Sequence, residues 1–297
     1  MALAADYSSW TNSTLYVQHQ RAIAKTALSA RIFIILAALL WSTGGAAVKL
    51  STLSTLQSAG ARALLAGIVL FVLLPQARRG YRLEVLVAGA FHAANCVLFV
   101  YANQQTTAGN VIFIQNIAPV WILLMSTRFT GDRPTRSEIW SVPISLIGCT
   151  LLFFDTPELG QLKGNLAALA ASVLFALLIL SYRRLNTDEG IAAVTAGNFM
   201  IAFGCLPWAL FGPSPTPGDA MVIAYLGVFQ QAFGHLLFIW GMSAVSALEG
   251  ALLILIEPIA SPGWAYLMVG ERPGPWFAAG AGIVIAAQAG RILASRK

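Results

Sequence analysis

Long apolar stretches alternate with short polar turns along almost the whole chain. A helix needs about 20 apolar residues to cross the hydrocarbon core of a bilayer. Ten such stretches can be drawn, near 32–50, 57–74, 83–103, 109–128, 138–154, 163–182, 191–211, 219–241, 247–268 and 275–294. The breaks between them carry turn chemistry, as in Gly212-Pro213-Ser214-Pro215-Thr216-Pro217-Gly218, so sequential helices are expected to be antiparallel neighbours. The pattern predicts an all-α, polytopic membrane protein with ten transmembrane helices. Little chain is left for a soluble catalytic module.

The pattern also repeats. Ala118-Pro119 followed by Gly131-Asp132-Arg133-Pro134 recurs as Glu257-Pro258 followed by Gly270-Glu271-Arg272-Pro273, displaced by 139 residues. The same offset lays Ala88 on Gly227, His92 on Gln231, Phe99 on Phe238 and Tyr101 on Trp240. Two copies separated by an odd number of crossings run in opposite orientations, which is the trace of an inverted repeat and of a transporter built around a central cavity. The expected organisation is a tail over 1–31, a first five-helix repeat over 32–154, a linker over 155–162 and a second five-helix repeat over 163–297.

Composition agrees: hydrophobic residues make up 58% of the chain and charged residues 10%. The net charge of +6 needs no nucleic-acid partner, because the basic residues are sorted by side. Alternate loops and the termini hold 14 of them, against Lys49, Lys163 and Arg272 on the opposite side and Arg62 inside the second span. Basic residues favour the cytoplasm, so both termini are expected there, which requires an even number of crossings. Residues 1–31 have neither a compact apolar core nor a small-residue cleavage site and read as a cytoplasmic tail. Cys96, Cys149 and Cys205 fall inside spans at unrelated spacings, suggesting neither a disulfide framework nor a metal site. No cofactor is implied.

A charge at the bilayer centre costs about 2.5–3.5 kcal/mol on insertion scales, so buried polar groups point to function. Ala88, His92, Asn95 and Phe99 share one face of the third span, and Gly227, Gln231, Gly234 and Phe238 the matching face of the eighth, with His235 next to Gly234. His92, Asn95, Gln231 and His235 are therefore candidate substrate ligands; for His92 the rival reading is a packing histidine bonded to a neighbouring carbonyl. Pro119 and Pro258 free the carbonyls of Gln115 and Ile254 and should kink the fourth and ninth spans. Gln115 and Glu257 join the candidates at these kinks, although the Glu257 carboxyl has an equally good structural reading. Trp41 either lines the cavity or fills space between helices. Arg62, about one turn into its span, is expected to snorkel to the outer surface, with carboxylate binding as the alternative. Tyr101 and Trp240 are gate candidates that aromatic belts explain as well, and Gly44 with Gly45, like Pro119 and Pro258, are hinge candidates.

Leu40-Trp41-Ser42-Thr43-Gly44 with Lys49, the stretch Ala61-Arg62-Ala63-Leu64-Leu65-Ala66, the segment from Tyr101 to Pro119, and Gly270-Glu271 with the glycine-rich tenth span together resemble the drug/metabolite transporter superfamily, EamA-type branch. The resemblance covers residues 32–294 and is greatest to the YddG-type amino-acid exporters. It departs at Gly131-Asp132, where the pattern usually has glutamate. The resemblance implies export of amino acids and similar amphipathic metabolites across a bacterial inner membrane, by a monomer-capable protein whose partners are its small-molecule substrate and the bilayer. An organic-cation or multidrug exporter, with Glu257 supplying the negative charge, is the alternative. An intramembrane enzyme is disfavoured, because His19, His92 and His235 show no metal spacing and no phosphate cradle is present.

Overall fold

The computed structural model describes residues 26–48, 50–106, 108–152, 162–270 and 274–294. Residues 1–25 of the expected tail, linker residues 155–161, Lys49 and Glu271-Arg272-Pro273 of the second repeat motif lie outside the described residues. The described residues form helices and no strand. In chain order they are α1 (Thr26–Val48), α2 (Thr55–Leu73), α3 (Leu83–Gln105), α4 in two halves (Ala108–Gln115 and Ala118–Phe129), α5 (Arg136–Leu152) and α6 (Leu162–Arg184). There follow α7 (Thr187–Gly204, continued by the short Leu206–Phe211), α8 (Pro217–Met242), α9 in two halves (Ala247–Ile254 and Glu257–Val269) and α10 (Phe277–Ala294). Eight of these are long and apolar enough to cross a membrane. The other two are α5, with 17 residues, and α7, which opens on Thr187-Asp188-Glu189.

Residues 26–31, expected to belong to the tail, are helical and continuous with α1. Loop residues start the helices that follow them. Ser54, Asn186, Thr216 and Ser246 each accept a hydrogen bond from a first-turn N–H, and Asn186 and Thr216 do so in reciprocal capping boxes with Glu189 and Asp219. These side chains satisfy donors that no preceding turn can reach.

At Pro119 and Pro258 the expected bend is a full interruption. Proline lacks the donor for the helical ladder and its ring clashes with the preceding turn, so the ladder breaks one turn earlier, at 116–117 and 255–256. Pro119 then sits at the start of the second half of α4, where a missing N–H costs nothing. The interruptions match across the two halves of the chain at the 139-residue offset, with Ala108 on Ala247, Gln115 on Ile254 and Ala118 on Glu257.

Helix α3 packs against both α6 and α7, α2 lies between α7 and α8, and α5 pairs with α10. Glycines permit the closest approaches. A Cβ on Gly197 would lie 2.6 Å from the Gly89 carbonyl oxygen, and one on Gly280 would lie 2.6 Å from that of Gly148, a use of small residues typical of helix contacts in lipid. The broken helices cross over to partners in the other half: Trp121 of α4 donates to Ser172 of α6 at 2.9 Å, and Trp264 of α9 donates to Ser42 of α1 at 3.0 Å.

One end of the bundle is sealed. The N-terminal half of α9 packs against the C-terminal half of α4 and against α6, and all its residues but Glu249 are buried. Arg31 Nε and Arg291 Nη1 donate to Glu249 at 2.7 and 3.0 Å, while Ser246 donates to Glu138 at 2.6 Å and Gln288 to Ser145 at 2.9 Å. These contacts tie α1, α5, α9 and α10 together. The C-terminal half of α9 differs: of its described residues Pro258 alone is buried, and from Ile259 to Trp264 every side chain is half-exposed.

Candidate functional site

Where α3 and α8 face each other, His92 meets Gln231, and both are buried, at 1% and 4% exposure. Their Nε2 atoms are 3.5 Å apart. These residues are 139 positions apart, so they are repeat equivalents, and equivalent residues touch only near the axis that relates two copies. The Gln231 amide also donates to Asn198 Oδ1 on α7 at 2.9 Å, and His235 Nδ1 donates to the Gln231 carbonyl at 2.7 Å. The imidazoles of His92 and His235 stand edge to face at 4.6 Å. From Leu226 to Phe233, α8 takes the wider π-helical path, which is frequent at functional sites. It presents Gln230 and Gln231 side by side.

Aromatic rings continue the cluster. Trp41 packs on His235 at 4.9 Å and Phe238 at 5.3 Å, Phe175 of α6 meets its edge at 6.5 Å, and Tyr182 meets Phe238 at 6.1 Å. Among the described residues, four buried polar atoms of this cluster make no hydrogen bond of good geometry: Trp41 Nε1, His92 Nδ1, Asn198 Nδ2 and Tyr182 Oη, although the His92 and Asn198 side chains lie close enough to interact. Folded proteins satisfy most such groups, and each one left unmade costs about 1–3 kcal/mol. Four in contiguous rings and amides mark a place built to hydrogen-bond something other than the chain itself.

Asn95, one turn along α3 from His92, accepts from Gln115 Nε2 at 3.4 Å. Gln115 therefore enters through its side chain as well as through its expected free carbonyl. Glu257 opens the C-terminal half of α9 and makes no hydrogen bond or ion pair among the described residues. Gly44 and Gly45 begin a separate helical turn after a break at Thr43. The hinge candidates Gly44, Gly45, Pro119 and Pro258 thus all stand at real interruptions.

Tyr101 and Trp240 are 41% and 38% exposed and face away from the cluster. Tyr101 continues a stripe with Leu83, Val87, Ala90 and Val97 on α3, and Trp240 one with Phe229, Phe233 and Leu237 on α8. An exposed stripe without a polar member along a membrane helix is the pattern of a lipid face, which favours the aromatic-belt reading of these two residues over the gate reading. Tyr101→Leu and Trp240→Leu are expected to transport within about twofold of the parent, measured as flux in proteoliposomes; a tenfold loss in either would restore the gate.

One expectation is corrected, that for Arg62. Leu64, Ile68 and Phe71, exposed along the body of α2, lie on the opposite side of the helix from it. Its Nη1 is 3.5 Å from Gln230 Oε1, so the guanidinium turns inward and does not snorkel to the surface. Asn198 and Gln230 were not legible as site residues, because neither has a polar partner at the 139-residue offset: their equivalents are Ala59 and Phe91. The usable signal was an amide, Asn198, in the apolar middle of α7.

The sequence profile described as the EamA-like transporter family matches residues 28–154 and again 162–290. The chain belongs to the EamA-like transporter family. The two matches flank the expected linker, and the EamA relatives are membrane transporters. The pseudopaline exporter CntI of Pseudomonas aeruginosa strain UCBPP-PA14 is 24% identical over 86% of this chain and 93% of its own length. The threonine/homoserine exporter RhtA of Escherichia coli K12 is 24% identical over 90% of this chain and 92% of its own. A protein of known crystal structure shares the fold with a TM-score of 0.75 at 20% identity, covering 90% of this chain and 98% of that one.

Proposed function

We propose that this EamA-family protein exports amino acids and similar small amphipathic metabolites by alternating access, through ten crossings arranged as two inverted five-helix repeats over 32–154 and 163–297. The observation that carries this reading is the contact of repeat-equivalent His92 and Gln231 inside a ring of unpartnered buried polar atoms. Amides, imidazoles and indole orient a zwitterion without fixing its side chain, and apolar walls tolerate variation. The names of RhtA and CntI support export as the direction and a small polar metabolite as the cargo. With both termini in the cytoplasm, the sealed end at Glu249 is the inner one, and the half-exposed C-terminal half of α9 belongs to an outward-opening vestibule. Trp41, His92, Asn95, Gln115, Asn198, Gln231 and His235 would contact the cargo, and the breaks at Gly44, Pro119 and Pro258 would absorb the rocking.

Uptake of a labelled amino-acid panel into proteoliposomes tests the reading. Chemically unchanged amino acid should accumulate, and His92→Ala should lower the flux by about tenfold or more, the scale of one lost hydrogen bond to a charged group. Flux equal to that of empty liposomes for every amino acid would end the proposal. The unpartnered carboxyl of Glu257 favours a second reading, export of organic cations. Under that reading Glu257→Gln abolishes transport of a permanent cation such as ethidium, whereas under ours the amino-acid flux survives it.

A further inference from the structure

We infer that Arg62 and Gln230 form a carboxylate-binding subsite at the edge of the polar cluster, so that the cargo must carry an anionic group. The inference deepens the export reading and rests on it for the location of the cargo. Arg62 projects from α2 toward Gln230 of α8. Two glycines make the room: a Cβ on Gly44 would lie 2.8 Å from Gln230 Nε2, and one on Gly227 would lie 2.9 Å from the Arg62 carbonyl oxygen. Gln230 turns its oxygen toward the guanidinium at 3.5 Å, a long contact to a neutral group. Every described arginine ion pair is elsewhere, at Arg31, Arg82, Arg183 and Arg291. Among the described residues Arg62 therefore has no carboxylate partner.

The other groups near the Arg62 charge do not supply one. It lies within electrostatic reach of His92, His235, Cys96 and Cys205, two imidazoles and two thiols. Charged side chains at membrane depth are normally paired or face a water-filled cavity, and a planar guanidinium offers two parallel N–H donors that match a carboxylate. The missing anion then comes with the cargo. Its carboxylate would occupy Arg62 while its remaining polar groups reach the His92–Gln231 cluster. Such a site rejects an ester or an organic cation, since either leaves the arginine unpaired.

Binding to the purified full chain in uncharged detergent, read as the shift in unfolding temperature with ligand, tests this directly. L-phenylalanine, L-threonine and 3-phenylpropionate would each be compared with the methyl ester. The acid should bind at least about tenfold more tightly than its ester. The preference should fall below about twofold in Arg62→Gln, survive in part in Arg62→Lys, and weaken in Gln230→Ala. Equal binding of acid and ester by the parent, or an intact preference in Arg62→Gln, overturns the subsite, and the parent comparison holds even if a variant fails to fold. Binding of 3-phenylpropionate over its ester without binding of either amino acid leaves the subsite standing and removes the amino-acid reading. Loss of the preference on adding anionic phospholipid assigns Arg62 to a lipid headgroup and overturns the proposal.

Discussion

Glu249→Ala is expected to lower the stability of the folded protein by about 3–5 kcal/mol, the cost of stripping one partner from a buried ion pair. Glu249 is the shared acceptor of Arg31 and Arg291. Arg291 is 3% exposed, and among the described residues its Nη2 has no partner even in the parent. Removing the carboxylate leaves two arginines converging on one point with no anion between them. Arg31→Ala should cost less, because Arg291 keeps its partner. Denaturation in detergent checks the order: equal effects of Glu249→Ala and Arg31→Ala would show that the lock does not centre on Glu249.

The same substitution has a second consequence, since Glu249 opens the half-helix that seals the bundle. Without the lock, the population should shift toward a state open at that end. Cys96, half-buried one turn from His92, offers a native reporter. A membrane-impermeant thiol reagent added to inside-out vesicles should label it faster in Glu249→Ala than in the parent. An unchanged labelling rate would separate the network from gating and leave it a role in stability.

Much of this architecture was legible in the chain because two of its signals are strong and local. Apolar length marks the helices, and the 139-residue offset pairs Pro119 with Pro258 and His92 with Gln231. Both survive in the structure as paired helix breaks and as a direct contact. What the sequence hid was direction. Position within a span placed Arg62 near a surface, but its rotation on α2, set by Gly60 and Ala63 packing against Cys205, turns it inward. Tyr101 and Trp240 were in register, yet register says nothing about which side of a helix meets lipid. Asn198 escaped because its equivalent is Ala59: the halves share a scaffold, and the site itself is not symmetric.

That asymmetry gives Gln231 the larger role of the two axial residues. One amide group holds Asn198 at 2.9 Å and His92 at 3.5 Å, and its backbone carbonyl fixes His235. Gln231→Leu preserves volume and the carbonyl but removes the amide, leaving Asn198, buried at 0% exposure, without the donor that its Oδ1 accepts from. We expect a stability loss of about 1–3 kcal/mol, the desolvation cost of the orphaned group. Transport below saturation should fall by at least about tenfold, because His92 and Asn198 lose the group that aligns them. Residues acting through a common partner are not additive, so His92→Ala in the Gln231→Leu background should cost much less than His92→Ala alone, with a coupling of about 0.5–3 kcal/mol. Flux measurements on the four members of the cycle decide it. Additive losses would mean that His92 and Gln231 meet the cargo independently; wild-type flux in Gln231→Leu would reduce the axial cluster to packing.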